Sequence, residues 1–142
     1  MSDRVYLLLQ QSAHRLRRWA DRRCLDAAGI TTAQAGALFA LLDQPGCTQR
    51  DLAAALGQRE SGITAMVRRL LAGGLVDRRA STSDHRAQAL SLTPRGERAV
   101  DAVRPVLEEF NAGLHRVLGT DGTPALAAAL RALVAAEEFT PE

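Results

Sequence analysis

Residues 84–96, DHRAQALSLTPRG, decide how this 142-residue chain is read. Asp84 and Arg86 stand just ahead of a short alternating run in which Leu90 and Leu92 share one face. Thr93-Pro94 then has the form of a helix start. Thr93 serves as N-cap, and Pro94 takes the first helical position, where its missing N–H costs nothing. Upstream, LVDRR (75–79) reads as a partner strand and ASTSDH (80–85) as the connection. The stretch is therefore a hairpin with a charged tip, feeding a long helix.

Helical periodicity fills the rest. Over residues 4–27, Val5, Leu8, Leu9, Ser12, Leu16, Trp19 and Ala20 fall on one face, and Gly29 ends the helix. ITTAQAGALFALL (30–42) is a second helix with a capping-box pair, Thr31 and Gln34, and with Leu38, Leu41 and Leu42 as core candidates. TQRDLAAAL (48–56) is a short third helix, again with capping-box spacing at Thr48 and Asp51, that turns Leu52 and Leu56 inward before Gly57. ESGITAMVRRLLAGG (60–74) is a fourth. Its stripe is Ile63, Met66, Val67, Leu70 and Leu71, and its other side carries Ser61, Gly62, Thr64, Ala65, Arg68 and Arg69. Residues 94–118 form a long helix with Val103, Val106, Leu107, Phe110, Leu114 and Leu118 as its stripe, and Thr123-Pro124 opens a last one.

Composition excludes several classes. Hydrophobic content of 46% and charged content of 24% are those of a soluble globular protein. No window approaches ~18 uninterrupted apolar residues, and MSDRVYLLLQ lacks a small-residue cleavage site. A cytoplasmic protein with no membrane contact is expected. Cys24 and Cys47 form no C-x-x-C, and His14, His85 and His115 lack ligand spacing, so neither a metal nor a cofactor is implied. No nucleophile–base pair, phosphate loop or carboxylate pair stands at usable spacing, so an enzyme is not expected. Charge is uneven: Gln58 to Arg98 holds eight arginines against four acids, and Thr120 to Glu142 holds one arginine against four acids. A basic middle is the footprint of a nucleic-acid binder. It also fits a merely solvated face, and the absence of lysine fits the codon usage of a GC-rich coding sequence.

The order is two helices, a short helix joined to a fourth by a tight turn, a basic ribbon, then two helices. The fold class is mainly α with a small two-stranded β wing: a winged helix-turn-helix lobe flanked by N- and C-terminal helices. In such lobes the second helix of the pair enters the major groove. Ser61 and Thr64 lie near its start, and Gly62 and Ala65 leave room for close approach.

The opening stretch resembles the wing signature of the multiple antibiotic resistance regulator (MarR) family, D-x-R-x-x-x-L-x-L-T-x-x-G, met by Asp84, Arg86, Leu90, Leu92, Thr93 and Gly96. The likeness runs from GITTAQ through TQRDLAAALG to VRRLLAGGLVDRR and the last helices. It implies one domain over 1–142, with a DNA-binding lobe at about 30–98 and dimerisation helices at about 1–28 and 99–142. It implies a homodimeric repressor on a palindromic operator of double-stranded DNA. Ser61, Gly62, Thr64, Ala65, Arg68, Arg69 and Arg78 would face that DNA, Arg86 would enter the minor groove, and Asp84 would steady a wing arginine. An inserted arginine suits the negative potential of a narrow minor groove. Gln58-Arg59 departs from the family, where an apolar residue and a serine cap are usual; Ser61 is then expected to cap the fourth helix and start it later.

The resemblance also implies release of DNA by a small aromatic ligand bound between lobe and dimer helices, for which His14, Arg15, Trp19 and Phe39 are candidate lining residues. Cys24 and Cys47 are the candidates for a redox switch, with two small buried thiols as the alternative. The hydroperoxide-sensing branch of the family keeps its reactive cysteine near the start of the first helix, whereas Cys24 lies near the end. A winged helix used only to bind protein is the remaining reading.

Overall fold

The structure is a computed structural model and describes residues 4–80 and 88–137. The elements run α1 (Val5–Ala28), α2 (Thr32–Asp43), β1 (Cys47–Thr48), α3 (Gln49–Ala55), α4 (Glu60–Ala72), β2 (Val76–Ala80), β3 (Gln88–Leu92) and α5 (Pro94–Ala135). The chain divides into two compact units, Met1–Val106 and Leu107–Glu142.

The caps expected from sequence form. Thr31 Oγ1 accepts the Gln34 N–H at 3.2 Å, and Gln34 Oε1 accepts the Thr31 N–H at 2.9 Å. Thr48 and Asp51 do the same for α3, both at 3.1 Å. Each pair satisfies two backbone donors that the helix start would leave open. A further tie lies outside the helices' own caps: Asp21 of α1 accepts the Thr32 N–H at 2.8 Å and also the Thr32 hydroxyl, joining α1 to the first turn of α2.

The ribbon is larger than expected. The sheet has three strands in the order β1-β3-β2, all antiparallel. Cys47 pairs with Leu90 and Thr48 with Ala89 on one side of β3; Val76 pairs with Leu92 through to Ala80 with Gln88 on the other. A strand of two residues has no period to read, so β1 is visible only once β3 lies beside it.

The core of the first unit is built from every element. Leu38 and Leu41, Leu52, Ile63, Val67 and Leu70, Leu90 and Val103 are fully buried, with Leu75, Val76, Ala99, Val100 and Val106 around them. Leu42, a core candidate by sequence, is exposed. α2 is apolar on nearly every face, so its periodicity cannot say which leucine turns inward. α1 is a larger departure: of its apolar face only Ala20 is buried, together with Cys24, while Val5, Leu8, Leu9 and Leu16 are exposed in the single chain.

Two expected boundaries move. α4 begins at Glu60 with Arg59 as its N-cap, and no side chain caps it. Ser61 therefore lies inside the first turn, and the cap position simply goes without a side-chain acceptor. In the second unit the break in the long helix falls at Gly119, before Thr123-Pro124. Gly119 has φ 80° and ψ 179°, a conformation essentially confined to glycine.

Candidate nucleic-acid interface

α3 and α4 form the helix-turn-helix. After α3 the Gln58 N–H reaches the Ala53 carbonyl at 2.9 Å and the Gly57 N–H reaches Ala54 at 3.1 Å. This pairing, with Gly57 at φ 66°, is a Schellman closure, and it turns the chain into α4 within a few residues. Burial of Ile63, Val67 and Leu70 fixes the rotation of α4. Ser61, Gly62, Thr64, Ala65, Arg68 and Arg69 are thereby all exposed. The expected row of contact residues is brought together on one solvent-facing side.

Thr64 is held by a small network that sequence reasoning missed. Its Oγ1 donates to the Glu60 carbonyl at 3.2 Å and accepts from Gln49 Nε2 at 3.0 Å. The same Gln49 amide reaches the Glu60 carbonyl at 3.5 Å. Gln49 thus links the start of α3 to the first turns of α4. The only available signal was a polar residue just inside a capping box, too common to single out.

Beside α4, β2 and β3 form the body of the wing. Arg78, on β2 opposite Leu90, is exposed, as is Arg79. Asp84 and Arg86 lie outside the described residues, in the segment that joins Ala80 to Gln88. The base of the wing is described in full. Leu90 is buried, the Thr93 N–H donates to the Leu75 carbonyl at 3.1 Å, and the Thr93 hydroxyl donates to the Gly74 carbonyl. Thr93 Oγ1 also accepts the Gly96 N–H at 3.1 Å, capping α5.

The proposed ligand residues divide. His14, Arg15 and Trp19 line one side of α1, with Gln11, Arg18 and Arg22, around an open depression of about 580 Å³. Gln11, Arg15, Arg18 and Arg22 repeat at three- and four-residue intervals, a signal present in the sequence. Phe39 is not part of this lining. It is half-buried on α2, and the Arg104 guanidinium lies 5.5 Å from its ring centre.

Both cysteines are free and buried. Burial pushes both thiols up, with the Asp21 charge adding to the effect at Cys24 and the Asp51 charge at Cys47. A reactive cysteine needs the opposite environment, one that favours thiolate and admits an oxidant. Among the described residues, no single helix is long and apolar enough to cross a membrane.

The fold and this exposed surface define a winged helix-turn-helix protein. Residues 28–87 match the model of the MarR family. Over 68 residues it is 35% identical to the HTH-type transcriptional regulator BilQ of Clostridium symbiosum. That match spans about half of each protein, 48% of this chain and 47% of BilQ. The transcriptional repressor CouR, solved bound to a 23-mer DNA duplex, is 27% identical and superposes with a TM-score of 0.85 over 93% of both chains. CouR is also known bound to p-coumaroyl-CoA. BpsR of Bordetella bronchiseptica, whose DNA binding is regulated by 6-hydroxynicotinic acid, is 25% identical, with a TM-score of 0.86 over 96% of this chain and 97% of that one.

Proposed function

We propose that this chain is a sequence-specific DNA-binding transcriptional regulator, a cytoplasmic homodimer that represses from a palindromic operator. The observation that carries the reading is the exposed row Ser61, Gly62, Thr64, Ala65, Arg68 and Arg69 on the second helix of the helix-turn-helix, beside a strand bearing Arg78 and Arg79. Small residues near the start of α4 allow close approach to base edges, and arginines further along it suit guanine or phosphate. CouR, which has a similar fold, was solved bound to a DNA duplex.

The homodimer is supported by apolar surface that one chain leaves bare. Val5, Tyr6, Leu7, Leu8 and Leu9 are consecutive and all exposed on α1, and Val117, Leu118, Leu130, Leu133 and Val134 are exposed on α5. Patches of this kind mark association surfaces. In this reading residues 1–28 and 99–142 dimerise and residues 30–98 form the DNA lobe, so that the whole chain acts as one domain. A small aromatic acid is the ligand class that fits the α1 depression, where Trp19 offers a ring and Arg15, Arg18 and Arg22 offer cations. Its action would be to release DNA.

The test is duplex binding at several salt concentrations after selection from random DNA. Expected are a selected palindrome with half-sites ~34–36 Å or a multiple apart, and an affinity that falls steeply with salt as phosphate contacts release counterions. A chain that binds no duplex at any salt, as a protein-interaction module would, overturns the reading.

A further inference from the structure

We infer that Thr64 reads DNA through its methyl group, selecting thymine at one position of each half-site, and that Gln49 is the positioning residue that sets this. The inference rests on the DNA-binding reading above. A threonine hydroxyl has one proton to give and two lone pairs. The proton of Thr64 is committed to the Glu60 carbonyl at 3.2 Å, and one lone pair is occupied by Gln49 Nε2 at 3.0 Å. The hydroxyl cannot then donate to guanine O6 or N7, or to thymine O4, without giving up its bond to the Glu60 carbonyl. The Gln49 amide also reaches the Glu60 carbonyl, at 3.5 Å, so it spans both atoms of the Thr64 back-bond.

With Oγ1 turned back along α4 and across to α3, its proton committed and one lone pair occupied, this exposed side chain has its methyl and a single acceptor site left to present. The neighbouring positions do not obstruct it. Gly62 has no side chain, and Ala65 adds only a second methyl. In the major groove the partner for an apolar contact is the 5-methyl group of thymine, which no other base carries. The network thus withdraws the hydroxyl proton from base acceptors and leaves the methyl to favour thymine.

The experiment uses the full chain and its selected duplex, with each thymine of a half-site replaced in turn by uracil, which lacks only the methyl. At one position per half-site the wild-type protein is expected to lose about fourfold in affinity, the weight of one buried methyl group. Thr64→Val keeps the methyl and should retain this sensitivity; Thr64→Ser removes the methyl and should lose it. Gln49→Ala removes the anchor from α3 on Oγ1 and should reduce the discrimination while leaving the protein folded, as checked by circular dichroism. Wild-type binding indifferent to uracil at every position, or a Thr64→Ser protein as sensitive as wild type, overturns the inference while leaving DNA binding standing. A selected operator with no thymine preference does the same. A protein that selects no duplex overturns both this inference and the reading beneath it.

Discussion

A Cβ atom placed on Gly96 would lie 2.1 Å from the carbonyl oxygen of Leu75. That oxygen already accepts the Thr93 N–H at 3.1 Å, so the first turn of α5 is pressed against the backbone that leads into β2. Backbone, unlike a flexible side-chain tip, cannot swing aside. Gly96→Ala is therefore expected to destabilise the fold by about 1–3 kcal/mol or more, the range for overpacking a tight contact. Urea denaturation followed by circular dichroism measures it. A midpoint equal to wild type would show that α5 shifts freely on the wing.

This contact explains the end of the wing signature in physical terms. Thr93 is there to cap α5 and bind the Gly74 carbonyl, and Gly96 is there because nothing larger fits. Both were legible as residues in a pattern, and their reasons became visible only in three dimensions. The helix-turn-helix was legible because capping boxes and a 3.6-residue period are local. Three things were not: the strand at Cys47–Thr48, the exposure of Leu42 and the Gln49–Thr64 link. Each depends on a neighbour distant in sequence, β3 for the strand, the core for the leucine and α4 for the glutamine. The bare face of α1 shows the same limit from the other side. Its period marks an apolar stripe without saying what covers it.

Arg86 and Arg78 are expected to contribute in different ways. Arg86→Ala should weaken operator binding by about 1–3 kcal/mol, the range for a groove contact. Arg78→Ala, on β2, should lower affinity about equally for all sequences and reduce the salt slope by about one if it meets phosphate. Fluorescence anisotropy against the selected and a scrambled duplex separates the two. Unchanged affinity of Arg86→Ala with an intact dimer would remove the wing from the interface.

Acid sensitivity should appear at the start of α3. The Asp51 carboxyl is held below its ordinary value of 3.8, first by the Thr48 backbone N–H and then by the Thr48 hydroxyl. A carboxylate depressed in the folded state stabilises it fully above its unfolded pKa, and this stabilisation is lost as pH falls through the folded value. The stability difference between wild type and Asp51→Ala should therefore be constant near neutrality and shrink below pH 3.8. Thermal midpoints of both proteins from pH 2.5 to 6 test this. A difference that does not shrink would place the benefit of Asp51 outside its charged capping bond.

The two thiols make a prediction at the other end of the pH scale. Burial raises both above the ordinary value of 9.0, so the folded state holds their protons more firmly than the unfolded chain does. The stabilisation is complete below 9.0 and is lost as pH rises through the folded values. Wild type should lose stability above pH 9 more steeply than a Cys24→Ala, Cys47→Ala double variant. The same burial should keep a thiol reagent from labelling the native protein faster than local opening allows, while unfolded protein reacts at once. Cys24→Ser, which puts a hydroxyl at a position 0% exposed, should cost about 1–3 kcal/mol. Peroxide should then leave operator affinity unchanged. Rapid native labelling of either cysteine, or loss of DNA binding on mild peroxide treatment that Cys24→Ala or Cys47→Ala prevents, would instead establish a redox switch.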